Sequence, residues 1–159
     1  MKLATAAVLA TVCAGCLYSE PLVPGAAEPV DHRVLGPWRC VAPDSAEPSI
    51  LTVTQAPDRR YRAEFSGGED KPAVFVAYAV RFEGKLLLNA QLIEDGDPGK
   101  WTLVRYTLYR PNVLHIEFAR DEPFREATTS GQRMGVLKRE LRGAQLFEDY
   151  CTCIRVKER

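Results

Sequence analysis

The feature that most constrains the fold is a two-residue alternation of apolar and polar side chains, which recurs along most of the chain. It is clearest in four segments: 51–54, 61–65, 104–108 and 114–118. In the second of these, Tyr61, Ala63 and Phe65 are separated by charged residues. Successive side chains of a β-strand point to opposite faces, so the pattern predicts strands that bury one face each.

Two further segments, Val74–Phe82 and Leu86–Ile93, are apolar on both faces over part of their length. Such strands occur near the middle of a sheet or where the outer face is covered, and both alternatives remain open here. Glu83-Gly84-Lys85 between them is short enough for a tight hairpin link. Similar clusters of turn-forming residues lie at 56–59, 66–70, 95–99 and 110–112. Links this short join antiparallel neighbours.

The pattern changes to a helical period once, in the stretch Ser130–Phe147. Apolar residues recur there at intervals of three and four, at Met134, Leu137, Leu141 and Ala144. This spacing predicts a helix of about three turns with Ser130 as its N-cap. A last strand, Tyr150–Lys157, follows and places Cys151 and Cys153 on one face.

With a first strand that begins near Trp38, these segments give seven strands, a helix and a closing strand. The order predicts a mainly β domain, a single antiparallel barrel or strongly curved sheet of about eight strands with one helix before the last strand. Pairing the last strand with the first would remove the exposed sheet edges.

An eight-stranded barrel is either filled by side chains or holds one small ligand. We expect a filled interior, because six bulky residues are predicted to point inward: Trp38, Phe65, Tyr78, Phe82, Tyr106 and Phe118.

The N-terminus has the pattern of an export signal. Lys2 precedes an apolar run, Leu3–Val12, which Cys13-Ala14-Gly15-Cys16 follows. A run of this length suits a signal peptide, whereas a membrane-spanning helix needs roughly 20 apolar residues. We therefore assign residues 1–15 to a signal peptide. The stretch 16–33 is rich in proline and predicts a tether, which leaves 34–159 as a single barrel-like domain.

Ala14-Gly15-Cys16 resembles the end of the bacterial lipobox, although Cys13 stands where that family has Leu or another aliphatic residue. The resemblance implies that Cys16 is acylated, for example with palmitate, and becomes the mature N-terminus. The protein would then be anchored in a membrane of the cell envelope and face the periplasm or the cell surface. Two alternatives remain: an ordinary signal peptide cleaved after Ala26-Ala27, and a cytosolic protein with an apolar N-terminus.

Export would turn the remaining cysteines into disulfide candidates, because disulfides persist in oxidising compartments. Cys13 would leave with the signal peptide and Cys16 would carry lipid. Cys40, Cys151 and Cys153 remain. This odd number allows one bridge, from Cys40 to either of the other two, with one thiol left over.

Leu35-Gly36-Pro37-Trp38 resembles the Gly-x-Trp motif at the start of the first strand of lipocalin-like barrels. Pro37 departs from a typical strand because it lacks a backbone donor. The resemblance implies that Trp38 closes one end of the barrel and that Arg155, from the last strand, packs over it. It also implies a small apolar ligand inside the barrel. A core tryptophan in an unrelated β domain would give the same architecture.

Patterns that would indicate catalysis or a bound cofactor are incomplete. His115 and Glu117 match part of the zinc deaminase signature, but the Pro-Cys-x-x-Cys element is missing from the sequence. A Cys3His zinc site would combine Cys40, Cys151 and Cys153 with His115, although their spacing is unusual. Asp95-Gly96-Asp97 lacks the later glutamate of a calcium loop. We therefore predict a protein that is not an enzyme and has no metal or cofactor.

The charge balance argues against a nucleic acid partner. The chain has 21 basic and 21 acidic residues, and loss of Lys2 with the signal peptide would leave 20 against 21. We expect an exported, lipid-anchored bacterial lipoprotein with a non-enzymatic binding or structural role, whose partners are the membrane and an envelope protein. The alternative is a lipocalin-like carrier of a small apolar ligand.

Overall fold

Eight antiparallel strands close into a barrel in the computed structural model, which describes residues 18–67 and 71–157. Each strand pairs with its neighbours in chain order, and the last strand pairs with the first. The strands are β1 (Gly36–Val41), β2 (Ser49–Ala56), β3 (Arg60–Ser66), β4 (Ala73–Phe82), β5 (Lys85–Glu94), β6 (Asp97–Arg110), β7 (Val113–Ala119) and β8 (Phe147–Arg155). The predicted eight-stranded barrel, with one helix before the last strand, is confirmed.

Alternate residues of each strand fill the barrel interior. On β2, Leu51 and Val53 are buried while Thr52 and Thr54 are exposed, as the sequence pattern predicts. Burying one such aliphatic side chain stabilises the fold by roughly 1.5–3 kcal/mol. A slip of one residue would turn the whole inward set to solvent, so burial also fixes the strand register.

Two of the six residues predicted to point inward, Tyr78 and Phe82, lie on the outer face of β4. The inward residues of this strand include Phe75, Ala77 and Ala79. The prediction was wrong because β4 is apolar on both faces, so its hydrophobic pattern does not reveal which set of side chains faces the interior.

The outer face of β4, β5 and β6 is covered by a second apolar cluster. Helix α1 (Ser130–Glu140) contributes Leu137, and the chain before β1 contributes Leu22 and Val23. The strand residues in the same cluster include Val80, Leu87 and Leu103. Of the two explanations for strands that are apolar on both faces, the covered outer face is therefore the correct one.

Helix α1 differs from the prediction at both ends. Its N-cap is Thr129 rather than Ser130: the Thr129 hydroxyl accepts from the Gln132 amide at 3.2 Å, and the Gln132 side chain accepts from the Thr129 amide at 3.1 Å. This reciprocal pair is a capping box. The helix ends at Glu140, and β8 begins at Phe147, earlier than predicted.

The proline-rich segment 18–34, which we call the N-terminal strap, lies against the barrel wall. Tyr18 and Trp101 of β6 exchange two backbone hydrogen bonds of 2.7 Å. Further along, the buried Asn89 side chain donates to the Val23 carbonyl at 2.7 Å and accepts from the Val23 amide at 3.1 Å. Of the proline-rich tether predicted over 16–33, the described residues 18–33 thus contact the barrel at several points.

Candidate functional site

The seam between β1 and β8 holds three cysteines. The strand register places Cys40 opposite Cys153, and their sulfur atoms form a disulfide. Cys151 also faces the barrel interior, and its thiol is free. Its sulfur lies 3.6 Å from that of Cys153. One bridge and one remaining thiol match the expectation, and the partner of Cys40 that the sequence left open is Cys153.

The free thiol of Cys151 is held in its protonated form. Burial in the apolar barrel interior raises its pKa to about 12, because a thiolate would lose its solvation there. The thiolate is the reactive species in thiol chemistry, so this residue is a poor nucleophile near neutral pH. The seam is therefore better described as a covalent closure than as a redox centre.

The Cys3His zinc site considered from the sequence does not come together. The sulfur atoms of Cys40, Cys151 and Cys153 lie within 4.8 Å of one another, inside the barrel. His115 instead points outward from β7, whose residues Leu114 and Ile116 face the interior. The barrel wall thus separates the imidazole from the sulfur atoms, two of which are already bonded to each other.

One end of the barrel is closed by the side chains of Trp38 and Arg155. Trp38 is fully buried, and its indole nitrogen donates to the Val34 carbonyl at 2.9 Å. The Arg155 guanidinium lies 4.1 Å from the Trp38 ring centroid, which is cation–π geometry. Arg155 also donates to the carbonyls of Leu35, at 2.8 Å, and Arg33. The packing expected from the lipocalin resemblance is therefore present.

A polar network next to this closure ties the strap to the barrel. The Asp31 amide donates to the Tyr61 hydroxyl at 2.7 Å, and the Tyr106 hydroxyl donates to the Asp31 carboxylate at 3.2 Å. Hydrogen bonds from Arg33 lower the pKa of Asp31, while burial raises the pKa of Tyr106. Both shifts keep these two groups in their usual charge states near neutral pH, so the network is suited to holding structure rather than to moving protons.

The opposite end of the barrel is filled by aromatic rings. Phe65, Phe75, Phe118 and Tyr150 contact one another with centroid distances of 4.6 to 6.3 Å. Between these rings and the polar network lies an apolar cavity of about 80 Å³. Typical sites for small organic ligands measure about 300–1,000 Å³, so this space admits at most a few heavy atoms.

A polar cluster surrounds His115 on the outer face of the barrel. Its Nδ1 lies 3.0 Å from the Thr152 hydroxyl, and its Nε2 lies 3.0 Å from the Asp149 carboxylate. Arg105 donates two hydrogen bonds, of 2.6 and 2.7 Å, to Glu117. Sequence reasoning missed Asp149 and Thr152 because they come from β8, which lies far from β7 along the chain.

This outer cluster has the same three groups as a catalytic triad but does not lie in a substrate pocket. A hydroxyl, an imidazole and a carboxylate are in contact in that order, as in serine hydrolases. The Thr152 side chain, however, is exposed on the convex barrel wall, and the Asp149 side chain is 64% exposed. Nucleophilic catalysis also needs oxyanion donors and a concave substrate site. The arrangement is better explained as a hydrogen-bonded strand surface.

The acidic loop that resembles part of a calcium site is a tight turn. The turn consists of Asp95 and Gly96, whereas Asp97 already belongs to β6. The predicted loop 95–99 is thus shorter than expected. The Asp95 carboxylate forms a 3.1 Å ion pair with Lys71, and both side chains are exposed. Surface pairs of this kind contribute little to stability.

Comparison with protein-family models, curated proteins and solved structures finds no match to this chain. Between residues 18 and 157, apart from 68–70, no helix is long and apolar enough to cross a bilayer. The signal peptide predicted over 1–15 and the lipidation site predicted at Cys16 lie outside the described residues.

The disulfide assignment predicts a specific peptide map. Trypsin should release Cys40 in one peptide and Cys151 with Cys153 in another, and without reduction the two should be linked. Cys151→Ser should leave the link intact because this sulfur is outside the bridge. Cys153→Ser should remove it, and a persistent link in that variant would contradict the assignment.

The free thiol gives a second prediction. Cys151 should be alkylated more slowly in the native protein than in urea-unfolded protein, because the thiol is buried.

Proposed function

We propose that this chain is an exported bacterial lipoprotein, anchored through Cys16, with a non-enzymatic binding or structural role in the cell envelope. The observation that carries the proposal is the filled barrel, which Trp38 and Arg155 close at one end and aromatic rings fill at the other. An enzyme or a carrier needs a concave site of sufficient size. A barrel with about 80 Å³ of internal space is better suited to binding through its outer surface.

The seam disulfide supports export. Bonds of this kind persist in the periplasm and outside the cell, whereas the cytosol keeps thiols reduced. The link between Cys40 and Cys153 joins residues that are 113 positions apart. The alternative of a cytosolic protein with an apolar N-terminus fits this bond poorly.

The outer face around β1 is the surface that we propose for an envelope protein partner. Val41, Ile50 and Ile154 are exposed there by 48%, 38% and 58%. Ile50 and Ile154 lie on either side of Arg39, one on each neighbouring strand. Contiguous exposed apolar side chains often mark interaction sites. A partner that fits this face would combine an apolar surface with a carboxylate for Arg39.

The lipid anchor can be tested by metabolic labelling with a radioactive fatty acid. The protein should incorporate the label, and Cys16→Ser should abolish it because the acylated sulfur is missing. Cys151→Ser is the matched control and should be labelled as strongly as the wild type. Label that survives Cys16→Ser would refute the proposed anchor.

The partner surface can be tested with a photoreactive amino acid in intact cells. Placed at Ile154, it should form a crosslink to an envelope protein, whereas at Lys138 on helix α1 it should not. Val41→Glu should reduce the crosslink at position 154, because it adds a charge to the apolar face. Equal crosslinking from both positions, or an unchanged yield in the Val41→Glu protein, would count against this surface.

The second candidate function is a carrier of a small apolar ligand. The observation that favours it is the internal cavity, whose lining is apolar and includes Leu51, Ala77 and Leu88. Its volume of about 80 Å³ limits the ligand to a few heavy atoms. Native mass spectrometry would support the carrier function if it showed a bound small molecule that is released when the protein is denatured.

A further inference from the structure

The covalent path between Cys16 and the barrel is very short. Leu17 is the only residue between the proposed anchor and Tyr18, which the barrel holds. An extended chain covers at most about 3.6 Å per residue, so two steps cover about 7 Å. An acylated Cys16 therefore cannot lie far from the barrel wall while the strap remains in place.

Contacts at both ends of the segment 18–23 hold the strap in place. Tyr18 exchanges two backbone hydrogen bonds of 2.7 Å with Trp101, and its ring packs edge-on against Phe124 at 6.0 Å. The Arg133 guanidinium lies 5.4 Å from the centroid of the same ring. Five residues further on, Val23 is fully buried and hydrogen-bonded to Asn89. Peeling the strap away would expose these groups, so we expect it to stay closed.

We propose that the barrel wall beside Tyr18 and Trp101 rests on the lipid headgroups of the membrane. This inference rests on the proposed function, because it needs acyl chains on Cys16. Acyl chains in a leaflet place the cysteine that carries them at the headgroup level. The 7 Å path then brings Tyr18 and Trp101 to the same level, where both residue types are favoured because they combine an apolar ring with a polar group.

The membrane contact does not depend on net charge. Lys100 and Arg133 lie in this region, but so do Glu20 and Asp97, so basic and acidic side chains balance there. Attraction to anionic lipids through surface charges would weaken with added salt. A contact imposed by a short covalent anchor should persist in salt, which distinguishes it from electrostatic adsorption.

This placement also orients the proposed partner surface. The strap covers β4, β5 and β6, and in a closed barrel of eight strands β1 lies across from β5. The face that carries Arg39 and Ile154 would therefore point away from the bilayer. An envelope protein could reach it without displacing lipid.

Fluorescence quenching tests this arrangement in the full acylated protein. The probe is a fluorescent amino acid at Lys100, beside Trp101, or at Lys157, beyond β8 on the far wall. The purified protein is reconstituted in vesicles of phosphatidylethanolamine and phosphatidylglycerol that carry a nitroxide quencher on the headgroup. Quenching should be several-fold stronger at position 100 than at 157, and it should not change between about 0.1 and 1 M salt.

Two variants that release the strap provide matched controls. A flexible Gly-Ser insertion of about ten residues between Leu17 and Tyr18 should remove the difference between the two probe positions. Asn89→Ala should reduce it, because the Val23 backbone loses its partner. Circular dichroism would confirm that the barrel remains folded in both variants.

The outcomes separate this inference from the proposed function. Strong quenching at Lys100 that the insertion abolishes supports the membrane contact. Equal quenching at both positions, in protein shown by mass spectrometry to be acylated, overturns the contact but leaves the lipoprotein proposal standing. Protein recovered from membranes without an acyl group on Cys16 overturns both.

Discussion

The pairing of β1 with β8 is the constraint on which the rest of the structure depends. It joins the two ends of the domain, and the disulfide between Cys40 and Cys153 makes it covalent. Arg155 on β8 lies over Trp38 on β1 and closes the barrel end beside this seam. Without the pairing, two sheet edges would be exposed and the apolar interior would open to water. The filled core and the closed end both depend on this closure.

The strand pattern predicted the barrel because most strands bury one face only. In such strands, the apolar residues identify the inward side directly, as Leu51 and Val53 do. The same rule failed on β4, where Tyr78 and Phe82 pack beneath the strap and the helix. That failure has a physical cause, since a strand buried on both faces has no polar side to mark its orientation.

The candidate sites were harder to predict because they depend on pairing between distant strands. Cys151 and Cys153 share one face of β8, so only the register with β1 decides which of them meets Cys40. The contacts between the strap and the barrel were not predicted, for another reason. The prolines of the strap exclude a helix, but they do not show whether the chain packs against the barrel. The apolar residues Leu22 and Val23, which are buried, were the available signal for these contacts.

Equilibrium unfolding tests the role of the seam most directly. The free energy of unfolding should be compared between the wild type and a Cys40→Ala, Cys153→Ala double variant, with Cys151→Ala as the control for loss of a buried sulfur. A bridge that closes a loop of this size stabilises a fold by up to about 4–5 kcal/mol in the chain-entropy model. We expect a loss of several kcal/mol in the double variant, well beyond that in the control. Equal stability of the double variant and the wild type would contradict this role of the seam.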